Sequence, residues 1–195
     1  IPLMALDRIR ITGTDAILKT IFDYLVATTV LLLLSPVLVA LAIIVKLDTG
    51  GPAFYRRKVV GRSGRQFEAF KLCTMIPDRR ADQLATTFPD RRQRDKKPQT
   101  DPRITRVGRF LRRSSLDELP QLFNVLRGEM SLIGPRMVSP DEIDLYGKWQ
   151  LNLLTVKPGI TGPWQVRGRS DIAYEDRVRL STEYIRNYSI WLDLQ

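Results

Sequence analysis

Asp117 and Glu118 are consecutive carboxylates inside RRSSLDELP, residues 112–120, a few residues after Arg112 and Arg113. The plain reading of this stretch is structural. Ser115 with Glu118 three residues on is a capping-box pattern, and Asp117 suits the positive end of a helix dipole. Pro120 complicates that reading, because after a Ser115 cap it would be the fifth helical residue and would cost a hydrogen bond. A helix that starts at Asp117 instead puts Pro120 in the first turn, where it is tolerated. Asp117 would then stand beside free N–H groups and near two arginines, surroundings that bind phosphate and keep a carboxylate ionised. An ionised aspartate can act as a nucleophile toward phosphorus, and a neighbouring glutamate can help hold Mg²⁺.

Composition narrows the chemistry further. The 195 residues contain no His, which removes His general bases, Ser-His and Cys-His pairs and His metal ligands. Cys73 is the single cysteine, so no internal disulfide forms and a reducing compartment is expected. Lys and Arg number 31 against 21 Asp and Glu, a net charge of +10. Arg8, Arg10 and Lys19 cancel Asp7, Asp15 and Asp23 within residues 1–45, so the whole surplus lies beyond them. That surplus calls for an anionic partner: nucleic acid, an acidic membrane surface or a phosphorylated substrate. Two acids among many cations fit phosphoryl transfer better than acyl or glycosyl hydrolysis. Ile1 and the helix-like ending at Leu194-Gln195 both read as cut from something longer.

The elements that must position these residues begin with an apolar run. Residues 24–45, YLVATTVLLLLSPVLVALAIIV, carry no charge and would form a helix of roughly 33 Å, enough to cross a bilayer core of about 30 Å. Ser35-Pro36 stands near its middle, where the proline removes a hydrogen bond to the carbonyl of Leu32 and should kink the helix. Basic residues flank both ends, so a helix that enters, bends and returns competes evenly with a single span. Short strands are expected over 53–60 and 66–72, joined by Gly61-Arg62-Ser63-Gly64. Residues 77–103 read as a polar loop containing the charge run 91–97. Amphipathic helices are expected over 105–113, with Val107, Phe110 and Leu111 on one side, and over 119–127, closed by Gly128. Gly134-Pro135-Arg136 and residues 157–164 read as loops, and residues 140–154 and 174–194 as further helices.

Taken in order, DPRITRVGRFLRR (101–113), the dyad stretch, LPQLFNVLRGEMSLIGPR (119–136) and VKPGITGPWQVRGRS (156–170) resemble the bacterial sugar transferase family. These are polyprenyl-phosphate phosphoglycosyltransferases with a single catalytic membrane domain. GGPAFYRRKVVGRSGRQFEAFKL (50–72) and the helix containing Ser35-Pro36 match as well, so the similarity covers nearly the whole chain. The resemblance implies a re-entrant helix broken at Ser35 and Pro36, and a catalytic dyad of Asp117 and Glu118. Asp117 would attack the β-phosphate of a UDP-sugar, expel UMP and hold a sugar-phosphate that polyprenyl (undecaprenyl) phosphate then accepts. Mg²⁺ would sit near Asp117 and Glu118. Arg112 and Arg136 match family arginines and would clamp phosphate, and Lys71 matches a family lysine of less defined role.

The implied fold class is α+β. A hydrophobic re-entrant membrane helix packs on a small cytoplasmic domain of amphipathic helices with a short β-hairpin or small sheet. Residues 1–48 form the membrane helix with its flank, and 49–195 the catalytic domain, together one structural unit. The implied place is the cytoplasmic face of a bacterial inner membrane, at the start of polysaccharide or glycoconjugate assembly. No nucleic acid is expected as a partner, and a homo-oligomer is left open. Two departures stand out: Lys71-Leu72-Cys73-Thr74-Met75 replaces the usual Lys-Phe-Arg-Ser-Met, and Gly162-Pro163-Trp164 the common Gly-Trp-Ala. Neither touches the dyad. The competing readings are a membrane-tethered basic nucleic-acid-binding module, which lacks a recognisable motif, and a catalytically dead scaffold.

Overall fold

A computed structural model of the chain describes residues 11, 13–76, 103–166 and 174–194. The charge run 91–97 and nearly all of the expected polar loop lie outside the described residues. The architecture is α+β, as expected: one long apolar helix, several short helices and two two-stranded sheets.

Helix α1 runs from Gly13 to Thr49, 37 residues that would extend about 55 Å if straight. Its most apolar stretch is almost entirely exposed. Leu25, Leu32, Leu33, Val39 and Leu47 stand exposed along it, as a lipid-facing helix requires. The helix continues through Pro36, so Ser35 and Pro36 do not split it into two elements. A proline removes a single hydrogen bond, and the remaining ladder carries the helix past it. Two compact units divide the chain, and one boundary between them falls between Leu34 and Ser35.

The first unit gathers residues 1–34, 56–70 and 121–195. It contains most of the hairpin formed by β1 (Phe54–Val60) and β2 (Gln66–Leu72), whose turn places Ser63 at φ +59°. Helix α3 (Gln121–Leu126) leads through Gly128, at φ +74°, to β3 (Ser131–Ile133). Residues 143–149 form a 3₁₀ run kinked at Gly147, followed by α4 (Gln150–Leu153), where one regular helix was expected. Strand β4 (Gly159–Thr161) pairs in parallel with β3, placing Ser131 opposite Gly159 and Ile133 opposite Thr161. β4 falls within the expected loop 157–164, and no strand is expected over residues 131–133. Three-residue strands are too short to show alternation, and pairing between residues so far apart leaves no local trace. The backbones nearly touch: a Cβ on Gly134 would lie 2.8 Å from the Gly159 nitrogen, so only glycine fits.

After α5 (Pro163–Val166), α6 (Tyr174–Arg186) and α7 (Ile190–Leu194) divide the expected C-terminal helix. Two apolar clusters hold this unit together. One joins Val60, Val138, Tyr146, Leu153 and Val178, and the other Val156, Tyr184, Ile185 and Tyr188. Lys19 of α1 donates to buried Asp193 of α7 at 2.6 Å, and Tyr184 donates to the same carboxylate at 2.7 Å. The Leu132 N–H donates to Asp23 of α1 at 3.1 Å. Polar bonds thus fasten the first turns of the apolar helix to their unit.

The second unit comprises residues 35–55 and 71–120. Helix α2 (Arg106–Ser114) is capped by Thr105, whose hydroxyl accepts from the Gly108 N–H at 2.8 Å. An antiparallel bridge between Met75 and Ile104 brings the segment after β2 beside the helix start. Gly108 and Leu111 form the buried face of α2, whereas Phe110, expected beside Leu111, is 61% exposed. Replacing glycine by alanine inside a helix normally stabilises by about 1 kcal/mol. At Gly108 the added Cβ would collide with the Thr74 carbonyl. Gly108→Ala should therefore lower the melting temperature in detergent, and an unchanged or raised value would refute this packing.

Candidate active site

The dyad stands on neither of the two helix starts that the sequence allowed. Ser115 ends α2 in the left-handed conformation, φ +59°, and its N–H donates to the Leu111 carbonyl. Residues 116–118 then make one 3₁₀ turn, with the Glu118 N–H donating to the Ser115 carbonyl at 3.1 Å. Pro120 immediately precedes Gln121, the first residue of α3, where its missing N–H costs no helical bond. Asp117 therefore lies one turn ahead of α3, and the expected placement on its first turn is corrected. The Ser115 hydroxyl caps nothing, so no capping box forms.

Glu118 has a different partner. Lys71, at the end of β2, donates to its carboxylate at 2.5 Å, with both side chains about a quarter exposed. Arg112 uses Nε to donate to the Thr74 hydroxyl at 2.7 Å, which anchors an otherwise exposed residue. Lys71, Arg112, Asp117 and Glu118 thus belong to one compact unit. Cys73, where a family arginine is usual, points its thiol at the Met75 carbonyl at 3.3 Å and is half-buried. A small side chain fits that position.

Burial pushes the Asp117 carboxyl above its ordinary 3.8; Lys71 pulls it back, Glu118 pushes it further up and Arg112 pulls it back. The arginines are near in sequence, but the desolvation that outweighs them comes from tertiary packing. An ionised Asp117 is a poorly solvated anion, which is what a nucleophile for phosphorus needs. Asp117 and Glu118 offer two carboxylates on adjacent residues, and no cluster of three metal-ligating side chains occurs among the described residues. Mg²⁺ is commonly held by one or two carboxylates together with substrate phosphates, so the pair suits a metal shared with a diphosphate.

Arg136 belongs to the other unit. It forms a parallel bridge with Gly159 and lies close enough to Glu142 and Tyr146 to influence both. Burial pushes Glu142 up, but the Ser139 N–H, Arg57 and Arg136 together outweigh it and hold the carboxyl below its usual value. Arg57 meets Glu142 at 3.2 Å. This acid-arginine group was missed in the sequence, since no motif or spacing ties residues 57, 136 and 142 together. The same holds for the pairing of Lys71 with Glu118, 47 positions apart.

A raised carboxyl has a thermodynamic consequence. A folded-state value above the unfolded one means stability that is complete at low pH and lost as pH rises through the folded value. Asp117→Asn should therefore raise the melting temperature at pH 7, with the gain over the parent vanishing toward pH 3. Equal melting curves at pH 7 would contradict a desolvated Asp117.

The comparisons agree with the family that the motifs indicate. Residues 14–195 match the bacterial sugar transferase family. The chain is 42% identical over 183 residues to the exopolysaccharide production protein ExoY of Rhizobium meliloti, covering 90% of this chain and 80% of that protein. It is 43% identical over 182 residues to the undecaprenyl-phosphate galactose phosphotransferase of Salmonella typhimurium, covering 91% of this chain and 38% of that protein. It is 38% identical over 203 residues to the UDP-glucose:undecaprenyl-phosphate glucose-1-phosphate transferase of Escherichia coli, covering all of this chain and 42% of that protein. The chain thus spans four-fifths of the first relative and about two-fifths of the other two. A match of this extent settles the family: the chain is a bacterial sugar transferase.

Proposed function

We propose that the chain transfers a sugar-1-phosphate from a UDP-sugar to a polyprenyl phosphate, undecaprenyl phosphate being the acceptor that its relatives' names give. The observation that carries the reading is the half-buried Asp117 beside Lys71, Arg112 and a lysine-clamped Glu118. In the first half-reaction an Asp117 oxygen forms a bond to the β-phosphorus. The bond from that phosphorus to the bridging oxygen breaks, and UMP leaves with the electron pair. In the second, a phosphate oxygen of the polyprenyl phosphate attacks the same phosphorus, and Asp117 departs as a carboxylate. The products are UMP and a polyprenyl diphospho-sugar.

Bound beside the dyad, Mg²⁺ would supply positive charge to the diphosphate. Lys71 holds Glu118 in one orientation and lowers the cost of ionising Asp117, and Arg112, fixed by Thr74, offers its cation to phosphate. Arg136 would bind the nucleotide-sugar. We place the reaction at the cytoplasmic face of the inner membrane, with α1 embedded in the lipid. The basic surplus after α1 supports that side. The nucleic-acid and scaffold readings gain no support from this arrangement.

Asp117→Asn should abolish both UMP release and the trapped sugar-phosphate adduct, and full turnover by that variant would refute the nucleophile. Glu118→Gln should lose at least about 100-fold in kcat, the scale of a removed catalytic group, whereas near-normal kinetics would leave it a purely structural partner of Lys71. Arg136→Ala should chiefly raise KM for the nucleotide-sugar, and unchanged KM and kcat would discard that contact. A screen of UMP release over several UDP-sugars with undecaprenyl phosphate identifies the donor.

A further inference from the structure

A second cationic feature lies wholly within the unit that does not contain the dyad. Lys19, Thr20 and Asp23 of α1, Arg62 of the hairpin turn, Ser131 of β3 and Lys157 before β4 line a recess of about 60 Å³. That is room for a few waters or one tetrahedral oxyanion. Its charges do not balance. Lys19 is taken up by Asp193 at 2.6 Å, outside the lining, so Asp23 alone faces Arg62 and Lys157. Asp23 already accepts the Leu132 N–H at 3.1 Å. The Arg62 carbonyl accepts the Arg65 N–H at 3.3 Å, but among the described residues neither the Lys157 ammonium nor the Arg62 guanidinium has a hydrogen bond or ion pair. Burial lowers the Lys157 ammonium below its ordinary value; Asp23 counteracts this, and Arg62 and Lys19 add to it. One positive charge is left without a partner in a recess that Ile11, Ala16, Ile133 and Val156 also line, with Lys157 half-buried and Arg62 exposed.

We propose that this recess binds a phosphate monoester group, held by Lys157 and Arg62. The site stands independently of the reaction proposed above, because none of its residues belongs to the dyad's unit. Its position along α1 favours a ligand at the membrane surface. Asp23 immediately precedes the uncharged run 24–45, so the recess lies where the helix passes from polar to apolar surroundings, the depth of lipid headgroups. A dianionic monoester offers two charges and several acceptor oxygens to two cations, whereas a phosphodiester offers one charge. The same chemistry is available from a monoester lipid headgroup and from free phosphate.

The test uses the full chain. Melting temperature and apparent Kd are followed in neutral detergent against inorganic phosphate, with chloride at equal ionic strength as control. They are followed again in phosphatidylcholine nanodiscs carrying phosphatidic acid, with phosphatidylglycerol as the diester control. Wild type and Asp117→Asn should respond alike to the monoester probes, which separates this site from the dyad. The double variant Lys157→Gln, Arg62→Gln should raise the apparent Kd about tenfold or more, the scale of one lost charged hydrogen bond. Lys157→Arg, which keeps the charge, should retain binding and guards against a misfolded double variant. A response to phosphatidic acid alone assigns the site to a lipid headgroup, and a response to both probes assigns it to phosphate from either source. No response to either, equal responses to phosphatidylglycerol and phosphatidic acid, an equal response in the double variant, or loss in Asp117→Asn overturns the proposal.

Discussion

The desolvation of Asp117 is the constraint from which the rest of the candidate site follows. A carboxylate withdrawn from water is costly to ionise, and the cost must be offset by cations near it. Lys71 and Arg112 provide that offset, but neither is free to drift. The first is tied to Glu118 and the second to the Thr74 hydroxyl. The hairpin's last strand, the segment after it and α2 therefore have to meet around one 3₁₀ turn. Gly108 permits that meeting by letting α2 approach the Thr74 carbonyl, where any Cβ would collide. The capping bond from Thr105 then sets where α2 begins.

The other unit solves a different problem, that of fastening a long apolar helix to polar surroundings. Lys19 and Asp193 form a buried pair whose side chains are 10% and 0% exposed. Removing one partner of such a pair typically costs about 3–5 kcal/mol, because the remaining charge is stranded. Tyr184 and Tyr188 also donate to Asp193, and burial together with that carboxylate pushes both phenols well above their ordinary value. The pair is therefore embedded in hydrogen bonds that satisfy its remaining oxygens. α1 is apolar almost throughout, so the few polar side chains in its first turns carry the attachment. The same turns expose the recess with surplus positive charge, which gives one stretch of helix both an anchoring and a binding face.

Much of the site was legible in the sequence because it lies on contiguous motifs. Asp117, Glu118 and Arg112 fall within seven residues; residue type alone leaves a helix cap open beside phosphoryl chemistry, and the family resemblance is what points to the dyad. The helix start was misread for a local reason. Capping rules weigh Ser115 and Pro120 against an α-helix, whereas the chain inserts a left-handed residue and a 3₁₀ turn before α3 begins. No propensity rule distinguishes those outcomes without knowing that Lys71 waits to take Glu118. Phe110 shows a similar limit, for it shares an apolar side with buried Leu111 and is itself exposed. Periodicity says that a face is apolar, and packing alone says whether protein or another medium covers it.

By itself the sequence determined the apolar helix, the hairpin, the family and the adjacency of the two acids, since each rests on short-range pattern or on motif order. It also determined that the net charge of +10 lies after residue 45. Tertiary structure alone decided the parallel pairing of β3 with β4, the partner of Glu118, the burial that raises Asp117 and the charge imbalance around Lys157. Those features depend on contacts between residues far apart in the chain. Burial, desolvation and charge balance are properties of the space around a group, and a linear order of residues does not specify that space.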